Sequence, residues 1–523
     1  MLQKIPFGWV LALFLFSALV GAGIAYAPEN AARAFGFVGL GMLLYGAIVV
    51  QRGKPRFFEI AIASVSGAAA FLVVAFLVSE KFVPPARAFM HPNALAGIAA
   101  ASLPPDLALA IHFARARAWF KTGILLCFAV MLIWGLAAFD SRGAWFALSI
   151  VGGAALAIYL ARKFRFHQNR TVWAIAVLLG VGAFFALLYF QDNARALFVS
   201  AAQTNAAHYD GVPRELLYQQ VWRVLQDYFF TGSGLGTFPM VYSTYALHIH
   251  VYLLPHAHNI FLQTWLEQGL LGIGALMWFV LAFYAHMFKT RAEWNWLAAG
   301  GLAATSVMLL HGMIDAPFWY ADITRALFFL PFAFALAGVA APSSRRAELK
   351  IGAGVAIALV VFVLWFGMPI VPRLYANVAS LIQTRIELGP NASKDTWVEY
   401  TRRTANYADA EKIFGLALAR DAQDVTSNQR MAIIEIARGD YDAARTFALA
   451  AFARDAGHPV TLQLLGEVYL GLGQDELAYA YWFQVADAVN KLRVLSQVRY
   501  QRRGDFARAA RARALAERIE RAH

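Results

Sequence analysis

The chain has 523 residues, of which 60% are hydrophobic and only 15% charged, and its mean hydropathy is +0.53. That balance excludes a soluble globular protein and fits a polytopic membrane protein. The net charge of +13 comes from basic residues scattered through loops and tail, which argues against nucleic-acid binding, and the single cysteine, Cys127, rules out an intrachain disulfide.

Apolar runs fall near 8–27, 34–50, 57–78, 93–112, 119–138, 144–161, 172–190, 258–287, 296–314, 323–341 and 351–371. At roughly 20 residues per crossing they make about eleven spans, an all-α transmembrane bundle. The first run is followed at once by another, so it reads as a retained helix rather than a signal peptide. Pro104-Pro105 predicts a kink or break in the fourth span. Short loops on one side carry Lys4, Arg52, Lys54, Arg56, Arg115, Arg117, Lys121, Arg162, Lys163, Arg165, Arg170, Lys289, Arg291, Arg345, Arg346 and Lys350. The other side carries only Arg33, Lys81, Arg87, Arg142 and Arg325. The positive-inside rule then puts the N-terminus in the cytoplasm. The expected organisation is a membrane domain over 1–372 containing a large far-face loop at 191–257, a linker at 373–394, and a separate domain at 395–523.

Within the far-face loop, Leu217, Val221, Val224, Leu225 and Tyr228 share one helical stripe, the pattern of an amphipathic helix resting on the membrane surface. Gly232-Ser-Gly234-Leu-Gly236 follows. It lacks the Lys-Ser/Thr of a P-loop and comes after a helix, so a tight turn is the better reading. Then comes Pro255-His-Ala-His-Asn259, at the mouth of an apolar span. Asn259 is placed as an N-cap, and Asn259, Gln263 and Glu267 fall on one stripe at i, i+4, i+8. Glu267 is a carboxylate at membrane depth, costly to bury without a partner. His258 sits just outside the cap. His311 and Asp315, four apart, are spaced to hydrogen-bond each other. His248, His250, His256 and His258 crowd one stretch, but their spacing is not a recognised ligand pattern and no acidic or cysteine partner stands nearby, so no metal is expected.

The tail repeats. Ala419-Arg-Asp-Ala422 recurs as Ala453-Arg-Asp-Ala456, and Gly439 and Gly473 keep the same 34-residue offset, with a weaker unit near Gly504. Helix–turn–helix units of that length resemble the tetratricopeptide repeat, whose concave face binds a partner. A structural cap of packed helices is the blander alternative.

These pieces together resemble the O-antigen ligase and polymerase superfamily. Its signature is similar to Pro255-His-Ala-His-Asn259 with Leu262-Gln263, Glu267, Gly269 and Gly272. His91-Pro-Asn93 with Pro104, Ser141-Arg142-Gly143, the stretch from Arg214 to Phe238, and His311-Gly-Met-Ile-Asp315 fall in that family's order. The likeness covers about residues 30–340, and Tyr228-Phe-Phe230 departs from it where many relatives have a proline.

The resemblance implies a GT-C-like membrane fold in the bacterial inner membrane, with the repeat tail in the periplasm. It implies transfer of a glycan from undecaprenyl diphosphate to a hydroxyl of lipid A–core, of another glycan, or of a protein, without cofactor or metal. Carried onto this chain, His258 is the base, and Arg142, Arg214 and Arg223 steady the departing diphosphate. Asn259 and Glu267 line the substrate, a purely structural intramembrane hydrogen bond being the alternative for Glu267, and His311 and Asp315 support. Two other classes stay open: a lipid-linked glycan transporter, and a non-catalytic scaffold that holds the repeats for a protein partner. Removing residues after about 395 is expected to alter acceptor choice or partner binding without destroying the site.

Overall fold

The computed structural model describes residues 5–79, 91–139, 141–163, 214–248, 254–319, 322–340, 343–365, 367, 369–389 and 398–522. The expected span at 172–190 and the first part of the large loop lie outside them. The protein is an all-helical bundle with apolar membrane-crossing helices. In hydrocarbon every backbone N–H and C=O must be bonded within its own segment, so long apolar runs have little choice but helix.

Among the described residues, seven helices are long and apolar enough to cross a membrane. They are α2 (Pro28–Val50), α3 (Pro55–Ser79), α4 (Pro92–Arg115), α5 (Trp119–Ala138), α6 (Arg142–Lys163), α8 (Ile260–Lys289) and α12 (Arg345–Trp365). α1 (Gly8–Ile24) and α9 (Trp296–Gly312) are shorter and equally apolar. Small residues set the packing, as expected where close van der Waals contact replaces the hydrophobic effect. A Cβ on Gly300 of α9 would lie 2.8 Å from the Pro105 Cα of α4. One on Gly97 would lie 2.5 Å from the Pro317 Cβ beyond α9.

Four expectations are corrected. α4 runs unbroken through Pro104 and Pro105. The apolar run 323–341 is not one span but two short helices, α10 (Asp322–Leu327) and α11 (Leu330–Ala337). The break falls just ahead of Pro331, whose fixed φ and missing N–H suit a helix's first turn and not its interior. Most of the 373–394 linker is helix α13 (Ile370–Leu388), amphipathic and buried along one face. Finally, the stripe of α7 (Arg214–Gln226) does not lie on a bilayer: Leu217, Val221, Val224 and Leu225 are buried in a core shared with the C-terminal helices.

Those helices are α14 (Val398–Thr404), α15 (Ala408–Leu418), α16 (Val425–Arg438), α17 (Tyr441–Arg454), α18 (Pro459–Gly471), α19 (Asp475–Trp482), α20 (Ala488–Val494) and α21 (Phe506–Glu520). The repeating glycines have a physical role. Gly439, Gly473 and Gly504 take left-handed φ of 86°, 78° and 76°, where a helix ends and the chain turns back. Asp440 and Asp505, directly after two of these glycines, cap the next helices by accepting from backbone N–H groups, as Asp424 caps α16.

Candidate functional site

The site begins with a kink. Gly269 inside α8 has φ 67° and ψ −167°, outside any helical region. The glycine turn, with Gly232, Gly234 and Gly236 at φ 71°, 108° and 69°, fills the gap. Ser233 N–H donates to Leu266 O at 2.6 Å and Gly234 N–H to Glu267 O at 3.1 Å, while Leu270 N–H donates to Phe230 O. A Cβ on Gly269 would lie 2.4 Å from Phe230 O, whereas one on Gly236 meets nothing within 4 Å. Gly269→Ala therefore combines backbone strain with a clash, and should destabilise by at least about 2 kcal/mol against about 1 for Gly236→Ala. Thermal unfolding of the two purified variants checks the ranking; equal melting temperatures would contradict it.

The polar stripe of α8 ties this turn to the histidine loop. Asn259 caps the helix as expected, its Oδ1 accepting from Phe261 N–H at 2.9 Å and Leu262 N–H at 3.0 Å. Its amide donates to Met313 O. Gln263 Oε1 accepts from Ala257 N–H, and its amide donates to Glu267 Oε1, both at 2.7 Å. Glu267 Oε1 also accepts from Gly236 N–H at 3.0 Å. A buried carboxylate thus finds one partner on its own helix and one on the glycine turn, the condition for tolerating it at this depth.

Above the cap, His258 is held at φ 50°, a left-handed conformation costing a non-glycine residue about 1–2 kcal/mol. The strain turns its ring inward, where Nδ1 lies 2.8 Å from Asp315 Oδ1. Asp315 leaves the helical repeat because α9 stops at Gly312, so its carboxylate faces His258. His311, expected as the partner of Asp315, lies 3.3 Å from Ser141 Oγ through Nε2. His256 stacks beside His258, ring centroids 4.4 Å apart, with Nε2 3.7 Å from the same Asp315 oxygen. Tyr218 of α7 straps the two loops together, its hydroxyl reaching His258 O at 2.9 Å and Ile314 O at 3.0 Å.

Burial alone would push the Asp315 carboxyl up, but the adjacent imidazoles, His256 nearby and His258 hydrogen-bonded, outweigh it and hold the group well below the usual range. Burial pushes the His256 imidazole down to about 4, against the pull of Asp315, so it is neutral at physiological pH. An ionised carboxylate can only accept, so His258 Nδ1 carries its proton and Nε2 is the basic nitrogen.

The expectation that no acid stands near the histidines is therefore corrected. His256, His258 and Asp315 offer ligand atoms within 4.8 Å of one another, a set that could hold a metal ion. The closest pair argues for a hydrogen bond instead. Tetrahedral ligands about 2.0 Å from zinc sit about 3.3 Å apart, and 2.8 Å is the length of an N–H···O bond.

Of the three arginines, Arg142 is exposed at the first turn of α6, next to Gly143, whose Cβ position lies 2.8 Å from His311 Cδ2. Arg214 opens α7, one turn before Tyr218. Arg223 instead pairs with Asp455 of the C-terminal helices at 3.0 Å. Sequence reasoning missed Asn93 as a member of the cluster: its amide donates to Asp315 Oδ2 at 2.8 Å from 222 residues away. It also missed the role of His256, and adjacency to His258 was the only signal.

Residues 127–279 match the family model described as O-antigen ligase. The match runs from α5 through the glycine turn, His258 and most of α8, and supports the O-antigen ligase superfamily with a membrane ligase or polymerase type of function. It leaves out Asn93, His311 and Asp315. No curated protein and no solved structure matches the chain.

Proposed function

We propose that the chain transfers a glycan from an undecaprenyl-diphosphate carrier to an acceptor hydroxyl on the periplasmic face, with His258 as the base. The observation that carries the reading is the His258–Asp315 pair: a buried imidazole whose Nδ1 is bonded to a carboxylate, just ahead of the N-terminus of a polar-striped helix. As the acceptor oxygen attacks the anomeric carbon, its proton passes to His258 Nε2. The bond between that carbon and the diphosphate oxygen breaks, and the lipid diphosphate leaves with the electron pair. Asp315 stabilises the imidazolium that forms. His258 is 0% exposed, which keeps bulk water away from an activated glycosyl donor that would otherwise hydrolyse. Arg142 and Arg214 are the cations proposed for the leaving diphosphate, Arg223 being held by Asp455. The positive-inside count supports placing this face in the periplasm of the inner membrane, with the N-terminus in the cytoplasm.

The test is transfer in proteoliposomes from an undecaprenyl-diphosphate-linked glycan, offered to lipid A–core, free repeat units and a Ser/Thr-rich protein side by side. Transfer to one acceptor, lost in His258→Ala and unchanged by a chelator, is the expected result and separates ligase from polymerase from protein glycosylation. Transfer by His258→Ala at the wild-type rate would remove the base. No transfer to any acceptor, with donor still bound, would favour the transport or scaffold reading.

A further inference from the structure

The two oxygens of Asp315 are used differently. Oδ1 accepts from His258 Nδ1 at 2.8 Å and from Ala316 N–H at 2.7 Å, while Oδ2 accepts from the Asn93 amide at 2.8 Å. Asn93 stands in the first turn of α4, and that turn is fixed in place. His91 caps it, Nδ1 accepting from Asn93 N–H at 3.2 Å. One turn on, Gly97 packs against Pro317, two residues past Asp315. The start of α4 and the segment after α9 are thus held in a single register. A carboxylate bonded at one oxygen can turn about its Cβ–Cγ bond and present either oxygen to a partner. Bonded at both, it presents one.

We propose that Asn93 is a positioning residue for the His258–Asp315 pair, clamping the carboxylate so that Oδ1 alone faces Nδ1. The proposal rests on His258 being the base, and extends the site to α4, outside the residues matched by the family model. The competing role is purely architectural, a tie between α4 and the 313–319 segment. The charged and titratable groups around His258 and Asp315 are His256, His91 behind it, His311 on α9, and Tyr218 with Arg214 on α7. A structural tie would leave their influence on the reaction unchanged; a clamp on Asp315 would not.

The experiment compares wild type with Asn93→Ala, Asn93→Ser, Asn93→Asp and His258→Ala, in the proteoliposome assay above, across pH. Asn93→Ala should lower kcat about 10–100-fold with KM for the donor little changed, since sub-ångström misplacement of a catalytic partner acts on the chemical step. The acid limb of the rate should move to lower pH, because a carboxylate no longer aimed at Nδ1 stabilises the imidazolium less. Asn93→Asp adds negative charge beside Asp315, so its acid limb should move to higher pH. The downward displacement in Asn93→Ala and Asn93→Ser is the signature of the clamp, the upward one in Asn93→Asp being the control for charge alone. Rate loss in Asn93→Ala and Asn93→Ser with the limb unmoved would overturn it in favour of a structural tie, and so would a wild-type profile in Asn93→Ala. If Asn93→Ala does not fold, Asn93→Ser decides by the same criteria. A second readout needs no turnover: in ¹⁵N-histidine spectra of the full chain, the signal missing from His258→Ala should shift in Asn93→Ala, and an unmoved signal would overturn the clamp. If His258→Ala keeps wild-type transfer, the base assignment falls, while the spectra still test whether Asn93 controls the bond between Asp315 and His258.

Discussion

Replacing Asp315 with asparagine should lower the proposed glycan transfer by about 10³-fold or more while donor binding and folding are retained. Wild-type Asp315 accepts from His258 Nδ1 at 2.8 Å and is ionised, so it fixes the tautomer that leaves Nε2 basic. An asparagine can turn its amide to donate to Nδ1, which moves the proton to Nε2 and removes the base without moving the ring. A thousandfold loss corresponds to about 4 kcal/mol of transition-state stabilisation, within what a buried charge beside a forming imidazolium supplies. Because Asp315 is held well below the usual carboxylate range, it stays ionised throughout the working pH interval. Any acid limb near neutral pH therefore belongs to an imidazole. Purified Asp315→Asn in the proteoliposome assay, with donor binding measured separately, decides the matter. A loss smaller than tenfold would mean that Asp315 holds the loop but not the base.

How much of this site could be read from the sequence depended on the distance its contacts span. Asn259, Gln263 and Glu267 are four residues apart on one helix, so helical spacing alone placed them on a stripe. The glycine turn was legible because clustered glycines have few uses besides positive φ. Gly269 stood in a motif, but nothing local distinguishes a helix glycine that packs from one that kinks. His311 and Asp315 keep the i,i+4 backbone bond, Asp315 N–H to His311 O at 2.9 Å, but the helix ends at Gly312 and their side chains turn to Ser141 and His258. Asn93 was invisible as a partner: a bond across 222 residues leaves no trace in local pattern. The apolar stripe of α7 shows the same limit from the other side. Periodicity revealed that one face is covered, and only the fold shows that protein rather than lipid covers it.

That covering argues against the expectation that the C-terminal helices can be removed without destroying the site. Asp227, at the end of α7, accepts from Arg430 Nε at 3.0 Å and from the Thr426 hydroxyl at 2.8 Å, both on α16. Arg430 also donates to the Tyr228 hydroxyl and lies over the Tyr245 ring, 3.4 Å from its centroid. From α13, Asn377 binds Phe230 N–H and Gln226 O, immediately before the glycine turn. These are buried groups, and removing one partner strands the other away from water. Arg430→Met leaves the Asp227 carboxylate without its cation and should cost about 3–5 kcal/mol, a large share of a typical domain's stability. Truncation after residue 395 removes Arg430, Thr426 and Asp455 together and opens the apolar face of α7. Tyr218, which straps His258 to the 313–314 segment, stands on that same helix. The truncated chain should therefore lose transfer and become protease-sensitive around residues 214–248, with the membrane helices still inserted. Limited proteolysis and transfer measured on the same preparation test the coupling. A truncated protein that resists cleavage there and transfers glycan at the wild-type rate would show that the loop holds its shape alone.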